Sequence, residues 1–171
     1  MGLLQLIVGA MLGALAAIAL ERHKHATDRR GVASAIAGEI SAWIYGVEMR
    51  GQVEEFTAHA VRVRSGQAGQ GPYAWIDTES NRDPVLTAYI NRIGVLGGNL
   101  PERVARFYTI LESLRSDLRR LAGPELVGKP DAAADVIEKG LELWKQAATD
   151  GKKLVQDLQA VASAKRNLSL A

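Results

Sequence analysis

Two places in this sequence carry side chains suited to chemistry: the Glu-Arg-His-Lys-His cluster of residues 21–25 and the carboxylate Glu39. Glu21 and His25 are four residues apart, so a helix places them on one face, as two ligands of a metal ion require. A metal site needs further ligands, and the basic residues beside these two would repel a cation. We therefore expect no metal site and no cofactor.

Patterns for nucleophilic catalysis and phosphate binding are weak. The chain has no cysteine, no serine lies in a Gly-x-Ser-x-Gly motif, and the glycine-rich residues 66–71 lack the Lys-Ser/Thr end of a phosphate-binding loop. Glu39 flanks apolar and small residues of its predicted helix, where a buried acid can serve a site. More often such an acid pairs with an arginine across a bundle, here Arg92 or Arg103. We expect no enzyme.

The charge balance excludes one more class of function. The chain has 21 basic and 19 acidic residues, a formal net charge of +2. Nucleic-acid binders need a clustered basic surface, so we expect no nucleic-acid partner. A cysteine-free chain is compatible with a reducing cytoplasm.

The elements that position these residues begin with an apolar run over residues 2–20, in which Gln5 is the one conventionally polar side chain. As a helix the run reaches roughly 28 Å, about the thickness of a bilayer's hydrocarbon core. A secretory signal peptide would carry Lys or Arg before the run, and a buried helix of a soluble protein would show a polar stripe. The run therefore predicts a transmembrane helix over residues 1–21.

Small residues in this run predict close helix packing. Gly9 and Gly13 form a GxxxG motif, and Ala17 extends it by one turn. Such spacing allows two helices to approach closely in lipid, although glycine and alanine are common in membrane helices in any case. The three positions are our candidates for transmembrane packing against a partner helix or a second copy.

The predicted span is followed by a basic juxtamembrane collar over residues 22–30. Basic side chains near a span stay on the cytoplasmic side and meet anionic lipid headgroups. This pattern predicts an N-terminus outside and residues 21–171 in the cytoplasm. The predicted headgroup contacts are Arg22, Lys24, Arg29 and Arg30.

Residues 31–171 show the apolar spacing of amphipathic helices, which predicts a cytoplasmic helical bundle. The first helix combines an apolar stripe with a ridge of small residues and fades near Ser65; later helices begin near Pro84, Pro101 and Asp131. Breaks between them are short. We therefore predict an all-α fold, a single N-terminal transmembrane helix followed by an antiparallel helical bundle.

One connection carries an aromatic and aliphatic cluster, Tyr73, Trp75 and Ile76. Exposed, these side chains would form an anchor for a partner, since aromatic residues dominate interface hot spots. The alternative is that the connection folds back and covers one end of the bundle. Both interpretations stay open from the sequence.

The stretches YINRIGVL at residues 89–96, Leu100-Pro101 and VARFY at residues 104–108 are similar to those of short, uncharacterised, single-pass bacterial inner-membrane proteins. The resemblance covers residues 1–30 and 84–121. In that family the turn reads Ile-Gly-Leu-Leu-Pro or similar, whereas Gly97-Gly98-Asn99 interrupts it here. The resemblance implies a bacterial origin, an inner-membrane location and a membrane-tethered helical fold, and carries over no active-site residue.

These patterns together predict a non-catalytic, membrane-anchored accessory or scaffold subunit of a bacterial inner-membrane complex. It would dock through its transmembrane helix and cytoplasmic bundle on an integral membrane protein complex, or on further copies of itself. Two alternatives remain: a stalk or sensor coupling element, and less favoured, a helical-bundle enzyme with a small-molecule site around Glu39.

Overall fold

The structure is a computed structural model that describes residues 2–74 and 83–164, with side chains described from Met11 onward. Every regular element in those residues is helical, which confirms the predicted all-α class. The elements are α1 (Gly2–Met49), α2 (Gln52–Arg64), α3 (Pro84–Tyr89) with a 3-10 continuation (Ile90–Leu96), α4 (Leu100–Ala122), a 3-10 turn (Pro124–Leu126) and α5 (Pro130–Ser163).

The first long helix ends earlier than its sequence pattern suggests. We expected helix to continue to about Ser65, but α1 ends at Met49 and α2 begins at Gln52. Gly51 lies between them with φ 60°, in the left-handed region that favours glycine. The glycine therefore allows the chain to bend without steric penalty and to continue as a second helix.

Helix α5 runs antiparallel to the α1–α2 pair. Glu48 near the end of α1 pairs with Lys152 at 2.7 Å, whereas Arg64 at the end of α2 pairs with Asp135 at 2.7 Å, near the start of α5. The hydrogen bond from Arg64 lowers the pKa of Asp135. As residue numbers increase along α1 and α2, the numbers of their contact residues on α5 decrease.

Helix α4 lies on α5 in the same antiparallel sense. Arg103 at the start of α4 contacts Asp157 at 2.6 Å, late in α5. Further along α4, Leu114 packs beside Gly140. α5 thus contacts α1, α2 and α4 and forms the centre of the bundle.

The core consists of two clusters along α5. The larger one joins α1, α4 and the distal part of α5, and the smaller one joins α2, the end of α4 and the start of α5. The apolar spacing expected for these helices supplies both clusters. Their largest fully buried side chains are Ile36, Ile40, Leu96, Leu154, Leu158, Val32, Val63 and Val104.

The predicted transmembrane helix and its location require correction. Within the described residues, no helix is both long and apolar enough to cross a membrane. This finding contradicts a single-pass bacterial inner-membrane protein with its N-terminus outside, and that prediction is withdrawn. Described side chains cover only residues 11–20 of the predicted span, about 15 Å of helix and half of what a hydrocarbon core requires.

The three predicted segments, 1–21, 22–30 and 31–171, do not coincide with breaks in the chain. α1 is continuous from Gly2 to Met49 and passes through both proposed boundaries. At 1.5 Å per residue it is about 72 Å long. The division into these segments stays a prediction from the sequence.

Candidate functional site

A cluster of polar side chains lies where the start of α3 meets side chains of α1 and α4. Glu39 projects from α1 toward the start of α3, where the backbone N–H of Val85 donates to one carboxylate oxygen at 2.9 Å and that of Leu86 to the other at 3.1 Å. Pro84 occupies the first turn of α3 and has no N–H to donate. Glu39 therefore caps α3 from a neighbouring helix, satisfying donors that a helix start leaves free.

Tyr108 of α4 adds a third donor to the same carboxylate. Its hydroxyl donates to Glu39 Oε2 in a short hydrogen bond, and its ring is buried against Phe107 in an edge-to-face pair. Burial, reinforced by the Glu39 carboxylate, raises the pKa of Tyr108 well above its usual range. The phenol is therefore held protonated, as the donor that Glu39 needs.

An ion pair locks the residue that precedes α3. Arg115 of α4 donates through Nη1 and Nη2 to the two oxygens of Asp83, both at 2.7 Å, and both side chains are largely removed from solvent. The guanidinium also lies over the Trp43 ring, 5.2 Å from its centroid. Hydrogen bonding to Asp83 raises the pKa of Arg115. Such a paired, stacked guanidinium suits a fixed structural contact.

This cluster fastens α3 to α1 and α4 and leaves little free chemistry. Both oxygens of Glu39 accept hydrogen bonds, and both oxygens of Asp83 face Arg115. The arginines that we expected to pair with Glu39 have other partners. Arg92 contacts Asp28 at 3.0 Å, and Arg103 contacts Asp157.

Sequence reasoning identified Glu39 but missed its partners. A tyrosine and an arginine seven residues apart on α4 share one helix face, and this spacing is visible in the sequence. Nothing in the sequence, however, indicates that residues 83–86 turn back to lie beside that face. The contact depends on tertiary packing across 46 to 69 positions of chain.

A second candidate surface is the N-terminal part of α1, which extends beyond the bundle. Every described side chain from Met11 to Thr27 is exposed. We call residues 11–20 the arm. Its exposed large apolar side chains are Met11, Leu12, Leu15, Ile18 and Leu20.

The positions predicted for helix packing lie on this arm or just before it. Gly9 lies before Met11, the first residue whose side-chain surroundings are described. Gly13 has open space around it, since an added Cβ would meet no atom within 4 Å, and Ala17 is exposed. Helix pairing through these residues therefore stays a prediction.

The predicted headgroup contacts follow the arm on the same helix. Arg22, Lys24 and Arg29 are exposed, and Arg30 is half-buried at the top of the bundle. Farther along α1, the ridge of small residues also faces open space, because a Cβ at Gly31, Gly38 or Gly46 would meet no atom within 4 Å. No contact in the described residues explains this ridge.

Tyr73 belongs to the smaller core cluster. It is buried, its backbone N–H donates to the Leu121 carbonyl at 2.9 Å, and its own carbonyl lies 2.7 Å from His59 Nε2. Its ring is therefore not available as an exposed partner anchor. Trp75 and Ile76, the other two residues of that prediction, lie outside the described residues.

Openings on the described surface include a cavity and a groove. A cavity of about 260 Å³ lies between α4 and α5, over Phe107 and Leu154. An open groove of about 810 Å³ lies at the end of the bundle from which the arm emerges. Among the described residues, no group of three or more His, Cys, Asp or Glu side chains is arranged to hold a metal ion.

No family model, curated protein or solved structure matches this chain. The resemblance to short bacterial inner-membrane proteins therefore stays a prediction from the sequence.

Proposed function

We propose that this chain is a non-catalytic accessory or scaffold subunit that docks on a larger protein complex. The observation that carries the proposal is the arm, a projecting helical segment whose large apolar side chains are exposed. The partner is a protein with an apolar helical surface, or a further copy of this chain.

The size of the exposed apolar surface supports a docking role. Met11, Leu12 and Leu15 are each more than 60% exposed, and Leu20 is 70% exposed. Single exposed apolar residues are ordinary, but a contiguous apolar patch typically marks an interaction site. Burying one such side chain is worth about 1.5–3 kcal/mol, so covering several of them offsets part of the entropy that two proteins lose on association.

The bundle provides the rigid base from which the arm projects. α1 enters the larger core at Val32 and contributes Ile36, Ile40 and Ile44 to it. Because the arm and this core-forming segment belong to one helix, the bundle fixes the direction of the arm. The polar cluster around Glu39 serves the same architecture, since its hydrogen-bonding groups hold α3 in place.

The test is co-purification of the tagged full-length chain from the cells that make it, followed by native mass determination. Wild type should emerge with a partner or further copies at a fixed stoichiometry. The double variant Leu12→Gln, Leu15→Gln should lose most of this association. Val61→Gln is the matched control, because Val61 is equally exposed but lies on α2.

Two results would overturn the proposal. One is a wild-type chain that emerges as an unpartnered monomer. The other is an association that the arm variant and the Val61→Gln control retain equally. Circular dichroism of each variant verifies that the bundle is intact. We expect it to be, because all three substituted residues are exposed.

A coupling stalk is the second candidate function, favoured by the unbroken 48-residue helix α1. A stalk transmits force or displacement along its whole length. Here α5, α3 and the 3-10 segment after α3 contact α1, and every described side chain from Met11 to Thr27 is exposed, so only the first half of α1 projects. We therefore favour docking over coupling.

A further inference from the structure

The groove at the end of the bundle has one basic wall and one apolar wall. α1 contributes His25, Arg29 and Arg30, the 3-10 segment after α3 contributes Val95, and α5 contributes Ala160 and Val161. Its volume is about 810 Å³. The groove is open to solvent along one side.

The basic wall carries charge that the lining residues do not neutralise. Among the residues that the structure describes, none that lines the groove is acidic. Asp28, the acid next to Arg29 in sequence, is engaged by Arg92 at 3.0 Å, and Glu21 lies 3.9 Å from His25. The described residues place no carboxylate within ion-pair distance of Arg29 or Arg30. An anion in the groove would meet two guanidinium groups.

The position of Arg29 suits it to hold the charged end of a ligand. A Cβ added to Gly97 would lie 3.8 Å from Arg29 Nη2, so this side chain reaches from α1 to the turn before α4. Arg30 is half-buried beside it. Guanidinium groups bind carboxylate and phosphate oxygens through paired, charge-assisted hydrogen bonds.

The opposite wall suits a hydrocarbon chain. Val95 and Val161 are half-buried and contact the larger core, whereas Ala160 and Ala164 are exposed and small enough to leave space. Such a surface gains free energy when a hydrocarbon replaces water on it. A basic wall and an apolar wall are together complementary to a molecule with an anionic head and an apolar chain.

We propose that this groove binds one anionic amphiphile with a single acyl chain, a fatty acid. Its carboxylate lies against Arg29 and Arg30, and its chain lies along Val95, Ala160 and Val161. A phosphate monoester of a long-chain alcohol shares this chemistry and is the second ligand to compare. The proposal goes beyond the docking role of the arm and does not depend on it.

The experiment is isothermal titration of the full chain with dodecanoate and with dodecyl phosphate, both below their micelle-forming concentrations. We expect one ligand per chain. Acetate and inorganic phosphate supply the head alone, and dodecanol supplies the chain alone. Each should bind at least tenfold more weakly than the matching amphiphile, because it meets only one wall. The ratio of dodecanoate to dodecyl phosphate affinity identifies the preferred head.

Variants locate the site. Arg29→Gln and Arg30→Gln should each weaken dodecanoate binding about tenfold or more, the usual effect of losing a charge-assisted hydrogen bond. Ala160→Trp should block the groove sterically and leave both arginines in place. Because Ala160 is at an exposed helix position, the variant should keep the fold. Arg62→Gln removes one positive charge from exposed α2 and is the control for net charge.

The arm is the competing apolar surface, so the Leu15→Gln variant is titrated as well. The proposal predicts that this variant binds dodecanoate as wild type does. Binding that Leu15→Gln weakens but Ala160→Trp leaves intact would overturn it, as would several ligands per chain. Absence of binding, or equal losses in Arg62→Gln and Arg30→Gln, would overturn it too.

Discussion

Glu39 and Tyr108 show how one pair of side chains can hold three helices together. The carboxylate comes from α1, the hydroxyl from α4, and two further donors from the start of α3. A hydrogen bond to a charged group contributes roughly 1.5–3 kcal/mol in proteins. Removing one donor leaves a half-buried carboxylate with fewer hydrogen-bond partners, so it should weaken the packing of all three helices.

Stability should fall at alkaline pH because of Tyr108. Its pKa in the folded protein is raised above the ordinary 10.0, chiefly by burial. A raised folded-state pKa contributes stability that is fully present below the unfolded pKa and is lost as pH rises above it. The free energy of unfolding should therefore decline from about pH 10 upward, by on the order of 1 kcal/mol at pH 11.

Denaturant unfolding at pH 8 and pH 11 checks this expectation. Tyr108→Phe should lower stability at pH 8 by about 1–3 kcal/mol and show a smaller further decline at pH 11. Tyr45→Phe is the control, since Tyr45 is 64% exposed. An identical alkaline decline in wild type and Tyr108→Phe would contradict the role of this hydroxyl.

At the scale of elements, glycines decide where helices bend and how closely they pack. Gly51 permits the bend between α1 and α2, and Gly151 permits α5 to approach both α1 and α4. A Cβ at Gly151 would lie 2.7 Å from Phe107 Cε2 and 3.0 Å from Ile44 Cδ1. Both neighbours are buried core side chains with little room to move.

Gly151→Ala should therefore destabilise the bundle, by about 1–3 kcal/mol from overpacking, despite the better helix propensity of alanine. Gly140→Ala is the matched control on the same helix. There the nearest atom to an added Cβ is Leu114 Cδ2 at 3.7 Å, an ordinary contact, so alanine should be neutral or stabilise by up to about 1 kcal/mol. Thermal unfolding of both variants gives the comparison.

If Gly151→Ala were as stable as Gly140→Ala, the predicted overpacking at Gly151 would be wrong, because α5 would then have room to shift.

Sequence patterns predicted the helices well because each prediction needed only local information. Apolar spacing defined α4 and α5, and Pro84, Pro101 and Pro130 lie within a residue of three helix starts. The bend at Gly51 was missed because a single glycine inside a helical pattern has several meanings. The partners of Glu39 were missed because they depend on how distant segments pack.

The predicted sites were less accessible to sequence reasoning than the helices. The aromatic residue Tyr73 is equally suited to a core and to an interface, and burial placed it in the core. Composition alone does not distinguish these outcomes. The groove beside Arg29 and Arg30 was invisible for a different reason, since its walls come from three separate elements.

At the scale of the whole molecule, the chain combines a closed bundle with an open arm. In the polar cluster around α3, the carboxylate of Glu39 accepts from the backbone of α3, and that of Asp83 accepts from Arg115. The arm contributes no side chain to either core cluster in the described structure, and its apolar side chains are exposed. Docking of the arm on another protein is therefore the central claim of this account.

The most direct test is site-specific photo-crosslinking in the cells that make the protein. A photoreactive amino acid at Leu15, in the middle of the arm, should give one discrete adduct with a protein partner or a second copy. The same amino acid at exposed Gln67, in the connection after α2, should give none. A Leu15 position that yields no protein adduct, or one no different from Gln67, would contradict the claim.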